Sequence, residues 1–127
     1  MSFKSFEDLE VWKATREFRI DISKIAKTFP SEEKYKLIDQ IIRASRSITA
    51  NIAEGHGRFH FQENIQYCRQ ARGSLYEVLE HCICSNDENY ISEEQLNKIR
   101  SQFDKCLKLL NGYIKYLKKM KLNSKLG

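Results

Sequence analysis

One proline and five glycines in 127 residues leave little material for turns. Hairpin-rich sheets and flexible linkers use more of both, so the shortage points to long helices. No apolar run approaches the ~18 residues of a membrane span, and Met1 to Phe6 lacks the apolar stretch of a signal peptide. The cytoplasm is therefore the expected location. No Cys-x-x-Cys pair occurs among the four cysteines. Cys68, Cys82 and Cys106 fall at core-facing helical positions, and Cys84 lies roughly 200° around its helix from Cys82, so those two cannot grip one ion. All four are read as reduced thiols, acting as small hydrophobes.

Histidine is scarce too. His56, His60 and His81 are the only three, and none stands three residues after a Glu or Asp. That removes the Glu-x-x-His pairs of a carboxylate-bridged di-iron bundle. His56 and His60 share i, i+4 spacing, but Gly55 and Gly57 place them in a surface loop. Gly55-His56-Gly57 also lacks the further glycine, the lysine and the preceding strand of a phosphate loop. A nucleophilic role for Cys68 requires exposure, and its core position argues against it. No catalytic residue, metal site or cofactor is expected.

What the chain does contain is periodicity. Its length suits one domain with one core. Val11, Ala14, Phe18, Ile22, Ile25 and Phe29 recur three and four apart, predicting a helix over 6–28 that Ser5 and Asp8 start and Pro30 stops. Ile38, Ile41, Ser45, Ile48 and Ile52 predict a second over 32–54, capped by Ser31 and closed by a left-handed Gly55. Phe61, Ile65, Cys68, Ala71, Leu75, Leu79 and Cys82 predict a third over 61–85, with no capping residue before it. The fourth, over 93–121, opens on a Ser92–Gln95 capping box flanked by Ile91 and Leu96. It then runs through Ile99, Phe103, Cys106, Leu110, Tyr113, Leu117 and Met120. Asn123 to Gly127 should fray. Short connections between helices of about 35 to 43 Å imply an all-α, up-down-up-down antiparallel four-helix bundle. Mid-helix Gly73 and Gly112 mark places where helices cross closely.

The second helix carries an unusual outer face. Arg43, Ser47, Ala50 and Glu54 lie opposite its isoleucines, with Arg46 and Ala53 beside them. A solvated face normally holds more Lys and Glu, whereas Ser47, Ala50 and Ala53 admit a close neighbour. A subunit-contact surface and an ordinary exposed face both fit. Glu54 faces the negative end of its helix dipole, so a cation such as Arg58, Arg69 or Arg72 should compensate it.

An ordered set of short motifs carries a family resemblance. It comprises Phe6-x-x-Leu9-x-Val11-Trp12, Pro30, Tyr35-x-Leu37-x-x-Gln40, Arg43-Ala44-x-x-Ser47, Asn51-Ile52-Ala53-Glu54-Gly55 and Ala71-x-Gly73-Ser74-x-x-Glu77. The chain resembles the bacterial four-helix-bundle family named for open reading frames in 23S ribosomal RNA intervening sequences. That family is related to the accessory variability determinants of diversity-generating retroelements. The resemblance implies a ring-like homopentamer without catalytic residues and, in the retroelement branch, a basic oligomer that engages reverse transcriptase and nucleic acid. Phe59-His60-Phe61 departs from the smaller polar residues expected there.

The net charge is +5, unevenly spread. Met1 to Asn97 holds 13 Lys plus Arg against 16 Asp plus Glu, and Lys98 to Gly127 holds nine against one. Lys98, Lys105, Lys108, Lys115 and Lys119 fall within about 100° of arc opposite the heptad, a stripe some 30 Å long. Such a stripe suits phosphate backbones, RNA or DNA, in a salt-sensitive way, although no aromatic residue interleaves it. A solvated lysine face fits the same residues. The leading reading is a homo-oligomeric accessory protein associated with nucleic acid. An oligomeric scaffold for protein partners is the second reading, and a metal-dependent enzyme using the Glu54 to His60 loop the third.

Overall fold

The three- and four-residue spacing becomes four helices in the computed structural model, which describes residues 5–126. These are α1 (Glu10–Ala26), α2 (Leu37–Gly57), α3 (Phe61–Asp87) and α4 (Glu93–Leu126), with 3-10 turns at Phe6–Asp8 and Ser31–Glu33. Each helix packs on its sequence neighbours, α1 closes on α4, and the backbones of the diagonal pairs stay apart across the shared core. The result is the expected all-α four-helix bundle. Among the described residues no helix is long and apolar enough to cross a membrane.

The core holds Phe18, Ile22, Ile41, Ile48, Ile52, Leu75, Ile99 and Leu110, all essentially inaccessible to water. Removing such side chains from water is the main stabilising term. Cys68, Cys82 and Cys106 are buried among them, as their spacing predicts. Buried Thr15, Ser45 and Ser85 donate their hydroxyls back to carbonyls of Val11, Ile42 and His81 at 2.9, 2.9 and 2.7 Å. These three hydroxyls are thus satisfied within their own helices, while buried Thr49 and Asn64 bond across helices to Arg19 and Tyr113.

Several boundaries differ from expectation. The Ser5–Asp8 capping box is present, but it closes the 3-10 turn, and extended Leu9 separates that turn from α1. Ser31 does not cap α2. Positions 31–36 bury no apolar side chain, so α2 starts only at Leu37, the first residue with a core contact to gain. At its other end α2 runs past Gly55 to Gly57, and among the described residues no glycine has positive φ; Phe59, at φ 61°, takes the left-handed position instead. Gly55 is needed for space. A Cβ there would lie 2.8 Å from Asn64 Oδ1 and 2.9 Å from Tyr67 Cβ on α3. Gly73 and Gly112, expected at close crossings, are exposed, and a Cβ on either would meet nothing within 4 Å.

α3 begins without a side-chain cap and extends two residues beyond the prediction. α4 carries the predicted box, Ser92 N–H to Gln95 Oε1 at 2.9 Å and Gln95 N–H to Ser92 Oγ at 3.1 Å. It continues to Leu126, so residues expected to fray are helical, while Gly127 lies outside the described residues.

Candidate nucleic-acid interface and subunit-contact face

The outer residues of α2 divide between neighbours. Ser47 is half-buried; its Oγ accepts a hydrogen bond from Ser74 on α3 at 2.8 Å, and Asn51 Nδ2 donates to its carbonyl at 2.8 Å and its Oγ at 3.0 Å. The neighbour that exploits this small side chain is therefore α3 of the same chain, and α2–α3 is the most extensive helix pair in the bundle. Ala53 is half-buried, whereas Arg43, Arg46, Ala50 and Glu54 are exposed. Arg43 pairs with Asp39 at 3.0 Å. The cation compensating Glu54 is Arg58, one turn later, at 3.0 Å. Arg58 also donates to Tyr67 Oη at 2.7 Å, and Tyr67 and Glu54 together raise its pKa. Arg72 serves elsewhere, donating to Asn111 on α4 at 2.8 Å.

All five lysines of the predicted stripe, Lys98, Lys105, Lys108, Lys115 and Lys119, are exposed. The fold brings acids opposite the first part of that stripe. Lys98 shares a groove with Asp21, Lys105 shares one with Glu10 and Glu17, and Lys108 lies near Glu10 again. Those carboxylates on α1 dilute the positive potential there. The expectation that no aromatic side chain interleaves the stripe is corrected. Tyr116, three residues before Lys119, is 53% exposed and stacks on Tyr113 with centroids 6.3 Å apart.

A more strongly basic feature lies at the far end of α4, against the start of α3. Gln62, Ile65, Arg69, Lys118, Lys121, Leu122 and Lys125 line a groove without a single carboxylate. Lys121 Nζ donates to Gln62 Oε1, which holds one ammonium over the groove. Lys118, Lys121 and Lys125 lie outside the predicted stripe, and Arg69 is one of the cations expected to serve Glu54, although the sequence carries a signal for this end. The spacing of Leu110, Ile114 and Leu117 calls for an apolar residue at 121, and lysine stands there instead. α4 simply outlasts the core that its earlier turns cover.

His56 lies in the last turn of α2 rather than in a loop, and His60 is the exposed residue preceding α3. The four cysteines are chemically subdued. Burial pushes the Cys68 and Cys82 thiols up to about 12 and that of Cys106 to about 11. Cys84 is raised as well, by desolvation first and then by Glu88 and Glu80.

Comparison with known proteins agrees with the bundle and with the motifs along it. The family model described as 23S rRNA-intervening sequence protein matches residues 7–112. A crystal structure of a protein of unknown function, from the S23 ribosomal protein family of Bacteroides thetaiotaomicron, superposes with a TM-score of 0.76 at 27% identity, covering 83% of this chain and 95% of that one. No curated protein matches. The match to the family model spans α1 to α3 and more than half of α4, and the chain belongs to the 23S rRNA-intervening sequence protein family.

Proposed function

We propose that this protein is a non-enzymatic, homo-oligomeric accessory protein that holds a nucleic-acid strand by its backbone, at the basic end formed by α3 and the last turns of α4. The observation that carries this reading is the carboxylate-free groove with Arg69, Lys118, Lys121 and Lys125, continued along α4 by Lys115 and Lys119 beside exposed Tyr116. Closely spaced cations without internal counter-charges repel one another, and a phosphate backbone relieves that repulsion while releasing its own counterions. Tyr116 supplies a stacking face for an unpaired base. The contacts are to phosphate, so sequence-indifferent binding follows.

In this reading the subunits assemble through the exposed part of α2, Arg43, Arg46, Ala50 and Glu54, with Ser47 and Ala53 behind them, into a pentamer of the kind the family resemblance implies. The relation to retroelement accessory proteins extends it further, with a reverse transcriptase as the protein partner. Repetition of a weak site around a ring raises avidity without new contacts.

The test is a salt titration with single-stranded RNA and DNA oligonucleotides. If all four groove cations engage phosphates, the slope of log affinity against log salt is about −3, from roughly 0.7 per phosphate on a single strand. Lys118→Gln with Lys121→Gln should halve that slope. Absence of binding to either nucleic acid near ~50 mM salt, where such contacts are strong, would remove the proposal. The scaffold reading would then stand, and one observation favours it independently: Phe59 is 88% and Tyr35 84% exposed, large aromatic surface of the kind protein partners cover.

A further inference from the structure

A second basic groove lies between α1 and α2, on the opposite flank of the bundle from the α3–α4 end. Its lining is Arg19, Ile20, Ser23 and Lys24 of α1 and its C-capping Lys27, with Ile42, Ser45 and Arg46 of α2, around an open space of about 520 Å³. Four cations and no carboxylate line it. Among the described residues none of these four cations forms an ion pair, whereas Lys13, Arg43 and Arg58 all do. The volume falls within the roughly 300 to 1,000 Å³ of small-molecule sites.

The groove is partly organised in advance. Arg19 is half-buried, and its Nη1 donates to Thr49 Oγ1 at 2.8 Å; Thr49 itself is buried on α2. One of five guanidinium N–H donors is thereby committed, and the rest remain available to an incoming anion. The Ser45 hydroxyl is already occupied by the Ile42 carbonyl at 2.9 Å, which leaves the guanidinium and ammonium groups, with the Ser23 hydroxyl, as the donors. Arg46, at the α1 edge of the proposed subunit-contact face, approaches from the other helix, so two guanidinium groups flank the opening, the geometry that suits phosphate oxygens best. Lys27, at the C-terminal end of α1, is offset in part by the carbonyl end of that helix. Lys24 also borders the groove that holds Asp21, which offsets part of its charge, so Arg19 and Arg46 carry most of the attraction. Ile20, 38% exposed, and half-buried Ile42 add apolar walls, so the complementary ligand joins a phosphate to a flat apolar group.

We propose that the α1–α2 groove is a binding site for the phosphates of a nucleotide, distinct from the strand-binding end and independent of it. The apolar walls receive the base, and the two arginines with Lys24 receive the phosphates.

Isothermal titration of the full-length protein with ATP, with tripolyphosphate and with a short single-stranded RNA, each in about 50 mM salt, tests this directly. Wild-type protein should bind ATP saturably. Lys24→Gln combined with Arg46→Gln should weaken ATP binding at least about tenfold, the scale of losing one charge-assisted hydrogen bond. Lys118→Gln with Lys121→Gln should leave ATP binding intact while reducing RNA binding. Tripolyphosphate binding as tightly as ATP would overturn the assignment of the isoleucine walls to a base, and displacement of ATP by RNA would overturn the independence of the groove from the strand-binding end. No saturable ATP or tripolyphosphate binding, or affinities unchanged by the Lys24/Arg46 pair, would overturn the proposal. Circular dichroism and light scattering on each variant separate loss of the site from loss of the fold or the assembly.

Discussion

Glycine illustrates how one residue type acts in opposite ways in a single chain. Gly55 faces α3 so closely that a methyl group would intrude on Asn64 and Tyr67, while Gly73 and Gly112 face open space. Gly55→Ala should destabilise the fold by about 1 to 3 kcal/mol through overpacking. Gly73→Ala and Gly112→Ala should each stabilise the protein by about 0.5 to 1 kcal/mol, through helix propensity and a less flexible unfolded chain. Urea melts of the three variants check the sign at each position, and a neutral Gly55→Ala would contradict the close approach. The NIAEG stretch was visible in the sequence as unusual, but whether its glycine supplied a backbone angle or a missing side chain depended on what lies across from it. Thiol chemistry sorts by the same criterion. Because burial holds Cys68 and Cys82 near 12, a thiolate reagent at about pH 8, near the ordinary cysteine pKa, should label native protein only at Cys84, and slowly. Rapid labelling of several thiols without denaturant would show the core to be open.

Helix ends repeat the lesson at the next scale. Three serines stand where a cap is expected, and the structure uses them differently. Ser92 makes a complete capping box at α4, Ser5 makes one on a three-residue turn that buries nothing, and Ser31 caps no helix. Ser92→Ala should therefore cost about 1 kcal/mol, while Ser31→Ala should stay within about 0.5 kcal/mol of wild type. Thermal melts of the pair distinguish the roles, and equal losses would mean Ser31 caps α2 after all. The period of Ile41, Ile48 and Ile52 made the existence of α2 legible. Its first turn was not, because a capping residue starts a helix only where buried side chains follow within a turn, and here they wait until Leu37. α4 differs in the other direction, since the polar residues from Asn123 read as a fraying end while the backbone continues as helix to Leu126.

For the whole molecule, the antiparallel arrangement gathers charges that are distant in sequence. Arg69 and Lys125 meet across one groove, Arg19 and Arg46 across another, and Lys105 is brought opposite Glu17. A count along the chain therefore overstated the first half of the α4 stripe and missed both grooves. The subunit-contact proposal is tested at this scale. Ala50 is exposed, so Ala50→Arg should leave helicity and thermal stability nearly unchanged yet lower the mass seen by light scattering. An unchanged oligomer would move the contact away from α2, and a wild-type protein that is strictly monomeric would remove it.

Hydrophobic periodicity alone determined the number of helices, their order, the antiparallel bundle and most of the buried residues. It succeeds because helical spacing is a local property and a buried stripe must recur at three and four residues wherever a helix covers a core. Only the tertiary structure decided that Ser47 serves α3, that Gly55 is a gap rather than a turn, and which lysines face acids and which stand unopposed. Those properties belong to pairs of residues on different helices, and their distances are fixed by packing rather than by position along the chain.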